Sequence, residues 1–116
     1  MIYHIVQKAK WHDSKGQTFY EEESLAAEGF IHLSTKEQVT GVLERYYKGQ
    51  NDLLLLHVDE NKLTAELKYE LSPSVNEMFP HLFGKLNKDA VVDATEINCY
   101  TPVKVSVDIH KKSPAF

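Results

Sequence analysis

The run Glu28-Gly29-Phe30-Ile31-His32-Leu33-Ser34-Thr35 sets a histidine inside an apolar stretch that ends in two hydroxyl side chains. A helical pattern begins directly after it. His32 is therefore expected on a strand beside a helix N-terminus, whose free backbone N–H groups can receive an anion. Imidazole titrates at about pH 6.5, so the ring can donate, accept or carry charge at cellular pH. Together these features could hold a phosphate or carboxylate, or move a proton. The plainer reading is a core histidine bonded to a main-chain carbonyl. Ser34 and Thr35 could line the same site, although each also suits a helix cap.

His4 and His81 sit in similarly apolar settings. His4 lies between Tyr3 and Ile5 and gains weight only if its strand adjoins that of His32. His81 belongs to Phe79-Pro80-His81-Leu82-Phe83-Gly84, where Pro80 stiffens the backbone and Gly84 permits a turn or a close ligand approach. Phe79 and Phe83 could form an aromatic wall for a base or nicotinamide ring, or could pin a loop into the core. Tyr20, Tyr46, Tyr47 and Trp11 are further pocket candidates, with core packing the stronger reading for the two helical tyrosines. Glu70 ends an alternating strand and reads first as solvent-facing. The three histidines show neither HExxH nor HxH spacing, so a metal-dependent hydrolase using His4, His32 and His81 is a minor alternative. His12, His57 and His110 lack supporting context. No Walker loop, GxGxxG or nucleophile elbow is present.

The elements that must position these residues follow from periodicity. Residues 2–6 form a continuous β-branched and aromatic run, the mark of a strand with apolar residues on both faces. Residues 8–17 read as a polar connection anchored by Trp11. A short helix is expected over 21–27, ended by Gly29, and a strand over 30–34. Ser34 with Glu37, and Thr35 with Gln38, both match the capping-box spacing. Val39, Val42, Leu43, Tyr46 and Tyr47 then mark one buried helical face. The leucine run centres a strand at 52–59, and 63–71 alternates as a half-buried antiparallel strand. Residues 72–86 read as irregular because of Pro73, Pro80 and Gly84. Two last strands are expected at 89–97 and 102–109, and a loose tail at 111–116. The sum is an α+β domain spanning all 116 residues.

Composition limits the function classes. A net charge of −4 provides no basic footprint for a nucleic-acid backbone, but leaves room for a small anionic ligand. Cys99 is the only cysteine, so neither an intramolecular disulfide nor a cysteine zinc cage is expected, and a reducing cytoplasm is the simplest setting. The N-terminus lacks the pattern of a secretory signal. The longest apolar run, Leu53 to Leu56, is far short of the roughly 20 residues that span a bilayer.

Taken together, Ile2-Tyr3-His4-Ile5, Ser24-Leu25, the 28–35 run and Phe79-Pro80-His81-Leu82-Phe83-Gly84-Lys85-Leu86 resemble the bacterial family filed as domain of unknown function 952. Trp11, Gln38 and Glu70 also fall in that pattern. The resemblance implies an ADP-ribosyltransferase-like split β-sandwich holding NAD in a central cleft. It implies that His4 contacts a ribose and that His32, Ser34 and Thr35 lie at the cofactor. The late Glu-x-Glu or Gln-x-Glu of many transferases is absent, with Glu96 isolated. The expectation is therefore a nucleotide or related phosphorylated ligand in a cleft lined by His4, His32, Ser34, Phe79 and His81. Tyr20, Thr35, Phe83 and Gly84 would assist binding. Proton transfer would fall to the histidines, and a non-catalytic binding module is the alternative.

Overall fold

β1 (Ile2–Gln7) runs antiparallel to β4 (Leu53–Val58), which in turn pairs antiparallel with β8 (Val91–Ile97), giving a sheet of order β1-β4-β8. These assignments come from a computed structural model that describes residues 1–97. The leucine run occupies the central strand because both faces of that sheet are covered. Leu54, Leu56 and Val58 join Ile2 and Val6 in one cluster. Leu53 and Leu55 join Ile5, Val39 and Leu43 in another. A strand covered on both sides needs apolar residues at every position, not at alternate ones.

The second three-stranded sheet has the order β3-β6-β5, formed by β3 (Ile31–His32), β6 (Glu77–Phe83) and β5 (Glu66–Ser72). A two-stranded ribbon joins β2 (Phe19–Tyr20) to β7 (Leu86–Asn87). Every pairing between these strands is antiparallel. The helices are short: α1 (Lys8–Asp13), α2 (Glu23–Glu28) and α3 (Val39–Tyr46), the last preceded by a 3₁₀ turn at Lys36–Gln38. The architecture is α+β with mostly antiparallel strands, as expected. No helix among the described residues is long and apolar enough to cross a membrane.

Two stretches differ from the reading of the sequence. Residues 8–17 are not simply a connection, since α1 forms there and sets Trp11 edge-on against Tyr20 at 5.4 Å between ring centroids. Residues 72–86 are not irregular: β5 turns back into β6 through Asn76, which takes φ 55°. Asparagine tolerates that left-handed conformation, so it can close the hairpin where prolines suggested a break. Pro80 sits in the middle strand, where its carbonyl accepts from Leu33 N–H at 3.0 Å. It has no N–H to return the bond, and regular β3 pairing ends at His32. Gly84 serves an approach of chain to chain: a Cβ there would lie 2.7 Å from the Ala65 Cβ. The strand expected at 102–109, the tail at 111–116, Cys99 and His110 lie outside the described residues.

Candidate functional site

Ser34 is the joint that brings the site together. Its N–H and carbonyl both bond Tyr3 of β1 at 2.8 Å. The chain leaving β3 thus crosses from the second sheet to the edge of the first. That crossing sets His4 of β1 against the β3 backbone, where its Nδ1–H donates to the His32 carbonyl at 2.8 Å. His32 and His81 are directly opposed across β3 and β6, so their side chains share a face. Their ring centroids lie 5.3 Å apart, edge to face. All three histidines line one cavity of about 620 Å³, together with Ser34, Phe30, Phe79, Arg45 and Tyr47. That volume falls within the roughly 300–1,000 Å³ of small-molecule sites.

Each imidazole has its own carboxylate. His4 Nε2 lies 3.2 Å from Glu22 Oε2, His32 Nε2 lies 3.1 Å from Glu28 Oε1, and His81 Nδ1 lies 2.8 Å from Glu70 Oε1. Local structure explains each pair. Glu22 immediately precedes α2 and turns inward to His4. Glu28 ends α2 four residues before His32, and the left-handed Gly29 at φ 93° turns the chain between them. Glu70 faces Phe79 in the β5–β6 register and reaches diagonally to His81. Glu70 was expected to be solvent-facing; it is partly exposed, but its carboxylate is engaged by the ring. Phe30 stacks on His81 with centroids 4.0 Å apart and 17° between planes. It also touches His32 at 4.8 Å and Phe83 at 5.4 Å.

Glu22 is the electrostatic centre behind His4. Burial pushes its carboxyl up, but the hydrogen bond and charge of His4 and the Tyr20 hydroxyl outweigh that and hold it below the ordinary 4.5. Burial, and then the Glu22 hydrogen bond and charge, push the Tyr20 phenol well above its usual range. Burial and the Glu22 charge raise Tyr47 in the same direction, so at neutral pH it remains an uncharged donor at the cavity wall. A carboxyl lowered by folding stabilises the folded state above its unfolded value, and that contribution disappears as pH falls through the folded value. Glu22→Gln is thus expected to be less stable than the wild type at neutral pH by about 1.5–3 kcal/mol, the range for a charged hydrogen bond. The gap should narrow as pH falls below 4.5. Urea unfolding at pH 7 and pH 3.5 measures it; equal gaps at both would contradict this account.

The structure gathers His4, His32, His81, Ser34 and Phe79 around the cavity, and leaves Tyr20, Thr35, Phe83 and Gly84 off its lining. Tyr20 stands behind Glu22. Thr35 forms the capping box with Gln38, whose Oε1 accepts from Thr35 N–H at 3.0 Å. Gln38 Nε2 also ties the turn to the Met78 carbonyl at 2.8 Å. The helix start is thus occupied by its own cap. Thr35, not Ser34, is the cap, and the buried Ser34 hydroxyl has no partner among the described residues. Among those residues no three His, Cys, Asp or Glu side chains converge as metal ligands do.

Arg45, the chain's single arginine, went unnoticed in the sequence. It lines the cavity from the last turn of α3, lies over the Tyr46 ring at 5.8 Å, and forms no ion pair among the described residues. Its signal was the missing partner, which spacing does not reveal. Glu22 and Glu28 were missed for the same reason, since each is one carboxylate among many.

Residues 5–94 match the family model described as protein of unknown function, DUF952. The fold is similar to the crystal structure of protein CC0527 from Caulobacter crescentus, at 35% identity and a TM-score of 0.76, covering 84% of this chain and 85% of that one. The solution structure of CC0527 gives 35% identity and a TM-score of 0.72, with 84% of each chain covered. No curated protein matches the chain.

Proposed function

The chain belongs to the DUF952 family, and we propose that its cavity binds a small phosphorylated, nucleotide-like ligand, with NAD or a related nucleotide as first candidate. The observation that carries this reading is Arg45. An arginine without an ionic partner among the described residues shares a cavity of about 620 Å³ with two carboxylate-braced histidines and a phenylalanine stack. A guanidinium presents a planar fork of donors that matches phosphate geometry, and it keeps its charge throughout the physiological range. Tyr47 adds a neutral donor. Phe30 and Phe79 offer apolar surface for a ring. His32 and His81 are the groups for proton transfer.

The finer fold assignment, an ADP-ribosyltransferase-like split β-sandwich, belongs to the same proposal. Two antiparallel sheets joined at Ser34 beside a cavity support it. ADP-ribosyl transfer to protein is not part of it. His4, the residue that would orient a ribose, has both ring nitrogens engaged, by the His32 carbonyl and by Glu22. In this reading His4 positions the site and does not touch the ligand. A single cysteine in 116 residues fits a cytoplasmic setting.

Calorimetric titration with NAD, ADP-ribose and nucleoside phosphates tests the reading. Saturable binding that weakens with added salt is expected for at least one of them. Absence of binding to all would overturn it.

A further inference from the structure

Resting on that reading, we infer that His81 and His32 act as a base and an acid that hydrolyse a phosphodiester-type linkage of the bound ligand without a metal ion. The two rings are opposed in register and 5.3 Å apart, so both can reach neighbouring atoms of one ligand. Their surroundings assign them different roles. The His81 side chain is 10% exposed, and its Nδ1 meets Glu70 Oε1 at 2.8 Å. A carboxylate at Nδ1 places the proton of the neutral ring there and leaves the Nε2 lone pair free. Nε2 has no partner among the described residues, on a side chain that lines the cavity. That is the arrangement of an oriented general base. The His32 side chain is 54% exposed and faces Glu28, a counter-ion for its protonated form, with Nδ1 left to donate. Solvent access lets it recover a proton after each turnover.

In the step, His81 Nε2 takes a proton from water as the water oxygen bonds to phosphorus. The bond from phosphorus to the leaving oxygen breaks, and that oxygen takes the proton of His32. The products are a phosphomonoester and an alcohol from a diester, or two phosphate monoesters from a pyrophosphate. No electrons are exchanged, and bulk water restores both protonation states. Arg45 binds the phosphate anion, and Glu70 is a positioning residue acting through His81.

Phosphorus NMR in the presence of EDTA tests this with two probes. NAD carries the anhydride linkage, and a 2′,3′-cyclic nucleoside monophosphate carries the diester. New phosphate signals from one probe are expected, and they name the linkage. His81→Ala should slow the reaction at least about 100-fold, the lower bound for loss of a general base, while calorimetry still shows binding. Glu70 is partly exposed, so Glu70→Gln keeps the test decisive if His81→Ala does not fold. That variant should lose about 10-fold or more and displace the acidic limb of the pH–rate profile, which a purely structural role would leave in place. Binding without turnover of either probe would overturn this inference and leave the ligand reading intact. Turnover that EDTA abolishes, or that survives His81→Ala unchanged, would also overturn it. Absence of binding would remove the ligand reading beneath it.

Discussion

His4→Ala is expected to lower the free energy of unfolding by about 2–6 kcal/mol and to weaken ligand binding in whatever fraction stays folded. The estimate follows from what the substitution strands: a main-chain carbonyl and a largely buried carboxylate lose their donors, each a cost of about 1–3 kcal/mol. The His32 carbonyl would lose its bond from Nδ1, and Glu22 would keep only the Tyr20 hydroxyl. Because the same ring holds β3 against β1, the geometry of His32 should loosen as well. Urea unfolding measures the first effect. His4→Asn, whose amide can replace the Nδ1–H donor, should recover part of it. A loss below about 1 kcal/mol would show that His4 does not hold the two sheets together.

Arg45→Ala should act in the opposite way, on the ligand and not on the fold. The residue is exposed on the last turn of α3 and forms no ion pair among the described residues. Its removal should change stability by no more than about 0.5 kcal/mol, as at other exposed positions. Charge-assisted hydrogen bonds are worth about 1.5–3 kcal/mol, so affinity for a phosphorylated ligand should fall roughly tenfold to a hundredfold. Arg45→Lys should restore charge but not the fork, and should recover only part of the affinity. Calorimetry on the three proteins decides it; equal affinity in Arg45→Ala would remove the anchor from the site. The contrast between these substitutions separates the frame of the site from its contacts.

Much of that frame was legible because it depends on local rules. The apolar run at β1 and β4, the Gly29 stop of α2 and the Thr35–Gln38 cap are set by neighbours in the chain. The β6 strand was hidden because Pro80 argues against a middle strand by its own chemistry. Only the tertiary position shows that the missing N–H falls where regular β3 pairing ends. The histidines could be named as candidates, but the residues themselves did not distinguish their roles, and the ribose contact that the resemblance implied for His4 gives way to a positioning role. What distinguishes them is the partner of each ring nitrogen, contributed by a carboxylate or carbonyl from another element. Period-2 alternation placed Glu70 on the polar face of β5 and was silent about the diagonal neighbour that claims it. Arg45 was invisible for the complementary reason. Its meaning lies in facing the cavity without an ion pair among the described residues, which only a folded chain reveals.

The central claim is that one cavity, bounded by Arg45 on the helix and by His32 and His81 on the strands, receives the ligand. An amide-and-imidazole NMR titration with NAD and ADP-ribose tests it most directly. The account predicts saturable shifts confined to Phe30, His32, Arg45, Tyr47 and His81 and their neighbours, displaced in Arg45→Ala to roughly tenfold to a hundredfold higher ligand concentration. Saturable shifts centred elsewhere, or none at millimolar ligand, would contradict it.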